Sequence, residues 1–193
     1  MHVSRQQRQL LRELRLAVAQ SEDDPRARVN LAETLIAMRK NDEAAQLLDA
    51  VLTKTPADPE ALGVKGRLLA AQGRVTEALP YFEKATAATS DPEPSIELAR
   101  VYLAAGDPGQ AAKAANEALR KSAGHPWAMA VLGDALVRDG QRASGLEYLN
   151  RALSIGPRRP IVWESLADGF EAAHDDAHAG FCRRQAAALA AGR

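Results

Sequence analysis

His174, His178 and Cys182 stand four residues apart with Asp175 and Asp176 between them. Imidazole, thiolate and carboxylate are all ligands for transition metals, and on one continuous helix the three would share a face. The surrounding spacing puts His174 in a turn and the other two on the helix that follows, so the face is broken. A pair of turn histidines beside a half-buried cysteine is the bland alternative to a metal site. A second chemically able set is Arg5, Arg8, Arg12 and Arg15, which fall together on one side of an N-terminal helix. Such a stripe suits an anionic membrane surface or a nucleic-acid backbone, and it equally suits plain solvation. Beyond these the inventory is thin, with no glycine-rich phosphate loop, no H-E-x-x-H, no nucleophile elbow and no CxxC. No enzymatic activity, metal or cofactor is expected.

The bulk properties point the same way. Hydrophobic residues make up 46% of the 193 positions but aromatic residues only 4%, and alanine supplies much of the apolar share. That balance favours closely packed helices, because alanine is the best helix former and sheets prefer branched and aromatic side chains. The 25 basic and 25 acidic residues cancel, which gives no support to a nucleic-acid partner. A single cysteine excludes an intramolecular disulfide. No stretch approaches the roughly 20 apolar residues of a membrane span, and the N-terminus lacks the apolar core of a secretory signal, so a cytoplasmic location is the expectation.

What positions the candidate residues is a repeat. The stretch E-A-L-P-Y-F-E-K-A, residues 77–85, carries a small, large, small spacing at Ala78, Phe82 and Ala85 that recurs at steps of 34, 33, 34 and 34 residues. The first small position reads Ala44, Ala78, Ala111, Gly145 and Ala179. The large one reads Leu48, Phe82, Ala115, Leu149 and Arg183, and the last reads Val51, Ala85, Ala118, Ala152 and Ala186. Five repeats follow, 25–58, 59–91, 92–125, 126–159 and 160–193, each opening at or beside a proline (Pro25, Pro59, Pro92, Pro126, Pro160). In each, apolar residues at the fourth, seventh, eighth and eleventh positions mark a first helix. A reversal is expected near Asn41, Gly73, Gly106, Gly140 and His174, and then a second helix. Residues 1–24 read as a capping half repeat, an amphipathic helix with Leu10, Leu11, Leu14, Ala17 and Val18 on one face and Leu10, Leu14 and Ala17 in the register of Ala44, Leu48 and Val51. A repeat array carries no internal domain boundary of the usual kind.

W-E-S-L-A-D-G-F at 163–170, together with E-A-L-P-Y-F-E-K-A and the closing prolines Pro56 and Pro157, resembles the tetratricopeptide repeat, with its W-x2-L-G-x2-Y, A-x3-F and P pattern, over residues 25–193. The resemblance implies an all-α fold, a right-handed superhelical solenoid of stacked antiparallel helix pairs, whose first helices line a concave groove for a peptide or a partner's helix. Two departures bear on stability. Lys65 stands where other repeats have Leu31, Leu98, Leu132 and Leu166, implying a weaker contact or a snorkelling lysine. Ala115 and Arg183 stand where a large apolar residue is otherwise found.

If the core-facing positions are as above, positions 2, 5, 6, 9, 12 and 13 lie on the other side of the first helix. The resemblance makes that side the ligand groove. The candidate set is Asn30, Glu33, Val64, Arg67, Glu97, Arg100, Trp127, Val131, Asp134 and Asp168. Arg67 and Arg100 would grip a carboxylate, Trp127 would anchor a side chain and the apolar members would form ledges. The clamp that holds the acidic tails of heat-shock chaperones is not matched, since Val29, Glu33, Val64, Glu93 and Glu97 stand at its positions. At the other end, Phe181, Cys182, Ala186 and Leu189 lack a following repeat to cover them and form a candidate self-association surface. The expected function is a non-enzymatic interaction module with a protein or peptide partner. Its rival is a structural assembly protein that self-associates through the last helix or attaches to an anionic surface by the arginine stripe.

Overall fold

The computed structural model describes residues 5–21 and 24–192. The side chains of residues 5–8, and with them Arg5 and Arg8 of the basic stripe, lie outside the described residues, as do Glu22 and Asp23 of the acidic run. Every described element is an α-helix, and the helices group into two compact units, Met1–Thr89 and Ser90–Arg193. The first holds α1 (Arg5–Gln20), α2 (Pro25–Ala37), α3 (Asn41–Lys54), α4 (Pro59–Ala71) and α5 (Val75–Ala88). The second holds α6 (Glu93–Ala104), α7 (Pro108–Lys121), α8 (Pro126–Arg138), α9 (Arg142–Ile155), α10 (Pro160–Ala172) and α11 (Asp176–Ala190). The spacing that defines the repeats runs through Thr89 and Ser90 without a break, so the sequence carries no sign of this division. No described helix is long and apolar enough to cross a membrane.

Helix starts follow from proline chemistry. Pro25, Pro59, Pro126 and Pro160 each open a helix, where the missing N–H would have lacked a partner anyway. Asp24 and Asp58 cap two of these starts, accepting from Arg26 N at 2.9 Å and Ala61 N at 2.8 Å. Pro92 sits one residue earlier, as the cap of α6. The reversals inside the helix pairs share one geometry. Arg39, Gly73, Gly106, Gly140 and His174 have φ of 58°, 77°, 79°, 85° and 57°, and each is followed by an N–H that bonds five residues back, as Lys40 to Leu35 O and Asp175 to Phe170 O, both at 2.8 Å. The first reversal therefore turns on Arg39. Asn41, expected there, is already the first residue of α3.

The helices pack as α2 on α3 and α4 on α5 in the first unit, and as α6 on α7, α8 on α9 and α10 on α11 in the second. Ala44, Ala78, Ala111, Gly145 and Ala179 are all buried, as are Leu48, Phe82, Ala115 and Leu149. Leu48 and Val51 join Leu31, Leu35, Val64 and Leu68 in one hydrophobic cluster of the first unit. Lys65 resolves the choice left by the sequence. It is 8% exposed, and its Nζ donates to both oxygens of Asp49 on α3, at 2.8 and 3.0 Å. Its stem fills an apolar position while its head reaches a half-exposed carboxylate. Arg183 is exposed and paired with Glu171.

The capping helix departs from its expected register. Among the described side chains of α1, Leu11 is the buried one, with Leu14 and Val18 packed on the same cluster, whereas Leu10 is 47% exposed. A lone helix against α2 buries the narrow stripe spaced 3 and 4 residues apart, and Leu10 falls off its edge. Of the described arginines in the basic stripe, Arg12 is exposed and Arg15 pairs with Glu43 at 2.8 Å.

Candidate functional site

In the second unit α6 and α10 both pack on α8. Along them lies a concavity of about 310 Å³, lined by Arg100, Leu103, Ala104, Val131, Asp134, Arg138, Ser165 and Asp168. All of these residues fall at positions 6, 9, 12 or 13 of their repeats, the side that the sequence assigns to the groove. Arg100, Val131, Asp134 and Asp168 belong to the candidate set. Ser165 and Leu103 stand at groove positions 6 and 12 in the same ladder, and Ala104 and Arg138, both at position 13, are the lining residues that the sequence reading leaves unnamed.

The positively charged groups here already have partners. Arg138 Nε donates to Asp134 Oδ1 at 2.5 Å, and Arg100 donates to Glu97 at 3.1 Å. Arg100 also lies over the Trp127 ring with its guanidinium carbon 5.7 Å from the centroid, and Arg159 does so at 5.2 Å. Arg159 is paired in turn with Glu93. Trp127 is 2% exposed, and its Nε1 donates to Ser165 Oγ at 3.0 Å, whose hydroxyl donates to Ile161 O. The indole is thus a buried pin among α6, α8 and α10, and the expectation of a free anchor is corrected.

Val64 and Val131, each 1% exposed, are corrected in the same way from exposed ledges to core. The cause is packing on several sides. A first helix meets its own partner helix and the first helices beside it, so its buried arc exceeds the stripe of a simple helix pair, and in α8 every residue from Trp127 to Ala135 is buried. Asn30, Glu33, Arg67 and Asp168 are exposed, and Glu97 and Arg100 are half-buried. Arg67 and Arg100 fall in different compact units. Each has a carboxylate of its own, Glu33 for Arg67 and Glu97 for Arg100, so neither stands open for an incoming one.

Asp134 is the electrostatic centre of the concavity. It is 5% exposed, and burial raises its pKa above the ordinary carboxylate value, against the lowering effect of Arg138; the nearby Asp168 carboxylate pushes in the same direction as burial. Below the ordinary value near 3.9 both folded and unfolded states are protonated and the residue has no effect. As pH rises through that value the unfolded state releases its proton first, and stability is lost until the folded carboxyl has ionised too. Asp134→Asn is therefore expected to melt above the parent at pH 7, by about 2–4 °C per kcal/mol removed, with the advantage shrinking at pH 3. An equal offset at both values, seen by circular dichroism, would show that Asp134 carries no such cost.

The remaining sequence candidates separate. His174 sits in the last reversal and His178 stacks on Phe170 with centroids 4.9 Å apart, its Nδ1 2.8 Å from Asp175 Oδ2. Cys182 is buried, and burial pushes its thiol up to about 11. The three do not converge, and the described residues hold no group of three metal-ligating side chains placed to bind an ion. At the C-terminal helix Cys182 and Ala186 are 0% and 5% exposed. The idea that they lie uncovered is corrected, because the small-residue face of α11 is occupied by α10. Phe181 remains 39% exposed with one edge on Trp163, at a centroid distance of 5.9 Å.

Comparison with known proteins places this geometry. Two family models, both described as tetratricopeptide repeat, match residues 29–92 and 102–168. A curated exopolysaccharide production negative regulator of Rhizobium leguminosarum bv. viciae is 44% identical over 76 residues, which is 37% of this chain and 28% of that protein. The chain therefore spans less than a third of that relative. Among solved structures, pilF of Pseudomonas aeruginosa aligns with a TM-score of 0.71 at 20% identity over 97% of this chain and 86% of its own. A thermophilic repeat protein of Thermus thermophilus aligns with a TM-score of 0.70 at 22% identity over 86% and 92%. These likenesses show the fold.

Proposed function

Since the chain belongs to the tetratricopeptide repeat family, we propose that it is a non-enzymatic interaction module that holds an extended or helical segment of a partner protein in the concavity between α6, α8 and α10. The observation that carries this reading is Asp134. A carboxylate 5% exposed, its pKa raised by burial with a second carboxylate nearby, lines a recess that also offers apolar wall from Leu103 and Ala104. Groups held in costly electrostatic settings inside a concave surface are characteristic of sites selected for something other than stability.

The test uses the full chain as bait for a random dodecapeptide library displayed on phage. Recovered peptides are then measured against Ala104→Trp, which fills the recess from an exposed position at the end of α6. Their affinity is expected to fall at least about tenfold, a loss of about 1.4 kcal/mol. Peptides indifferent to the substitution would place binding elsewhere and sink the proposal.

A further inference from the structure

Equivalent positions in successive repeats are brought side by side by the packing of first helices. In the first unit this relation sets Glu33 against Arg67, 34 residues on, and the two form an ion pair. In the second unit the same step of 34 runs from Arg100 to Asp134 and on to Asp168, so that two acids follow one base along a single concavity. Like charges at a packed interface are unfavourable unless a cation completes them. Arg138 satisfies only part of this need. It donates to Asp134 Oδ1, while Oδ2 has no hydrogen-bond partner among the described residues; the side chain is 8% exposed, and Asp134 is one of the residues lining the concavity. Asp168 has no ion-pair partner among the described residues, and it is exposed in the same recess.

We infer that a further cation comes from the partner, as a lysine or arginine side chain whose stem lies along Leu103 and Ala104 and whose head is taken by Asp168 and the second oxygen of Asp134. The inference rests on the binding reading above and specifies its partner, a polypeptide segment with a basic residue at its centre. Ser165 is bonded to Trp127 and Ile161, and Arg100 and Arg138 are each paired with a carboxylate, Glu97 and Asp134, so Asp168 is the charged group of the recess that has no ion pair among the described residues. An acidic segment would meet Asp168 first and would have to displace Glu97 or Asp134 from its arginine.

The phage-derived dodecapeptides provide the probe. Sequences weakened by Ala104→Trp are expected to share a lysine or arginine. Replacing that residue by norleucine, or replacing Asp168 by asparagine, should weaken binding by roughly tenfold to a hundredfold, with Asp168→Glu retaining most of it. Asp168 is exposed and without an ion pair among the described residues, so its variants are expected to fold, and an unchanged melting temperature verifies this. Peptides that depend on the recess but lack a basic residue, or that ignore Asp168→Asn, would overturn the inference and leave the binding reading standing. If no recovered peptide is weakened by Ala104→Trp, both fall.

Discussion

Phe82→Ala is expected to destabilise the first unit by about 3–5 kcal/mol, the cost of removing a buried aromatic ring. The ring is 1% exposed and lies on the backbone of α4 at Gly66, where an added Cβ would come within 2.7–2.9 Å of three ring carbons. Glycine at position 66 is therefore the socket for the ring, and truncating Phe82 leaves a void that α4 has no side chain to fill. Urea unfolding checks the size of the loss, and a change below about 1 kcal/mol would be incompatible with this packing. The socket also predicts coupling. Gly66→Ala should be harmful in the parent and nearly neutral beside Phe82→Ala, because the methyl then occupies space that the ring has left.

Gly145→Ala should cost about 1–3 kcal/mol by overpacking, even though alanine is the better helix former. A Cβ at this position would stand 2.6 Å from Val137 Cγ2, 2.7 Å from Gly133 O and 2.9 Å from Val137 N. Two of those atoms belong to the backbone of α8, which cannot turn aside as the tip of a side chain can. A Cβ added at Gly63, also inside a helix, would meet Arg67 Nη1 at 3.8 Å, an ordinary contact with the tip of a flexible side chain. Gly63→Ala is accordingly expected to stabilise by about 0.5–1 kcal/mol. Opposite shifts of the thermal midpoint in the two variants would separate close backbone approach from helix propensity, and shifts of the same sign would refute the distinction.

The helix pairs were legible because the features that specify them are local. Proline at a helix start, glycine at a reversal and a small residue where two helices touch each depend on a neighbourhood of a few residues, and each leaves its mark at the same interval. Burial around the first helices is not local. A helix wheel registers one packing partner and so puts Val64, Trp127 and Val131 on an open face, whereas these helices meet neighbours on several sides. The same limit explains Leu10, whose apolar character fits the wheel while Leu11, Leu14 and Val18 are the described residues that pack on the core. Within the concavity the position count found Arg100, Asp134 and Asp168, but not that Arg138 would take one carboxylate oxygen and leave the other open. That distinction depends on a rotamer, which spacing does not encode.

Burial of Cys182 makes the chain's single thiol a clock for the motion of its last helix. With the thiol shielded behind α11 and its ionisation displaced to about 11, an alkylating reagent at neutral pH meets almost no thiolate while α11 is docked on α10. Alkylation then proceeds through openings in which the helix lifts away, so its rate reads how often the end of the second unit comes free. A bound segment spanning α8 and α10 that steadied α11 would slow this clock without touching the sulfur.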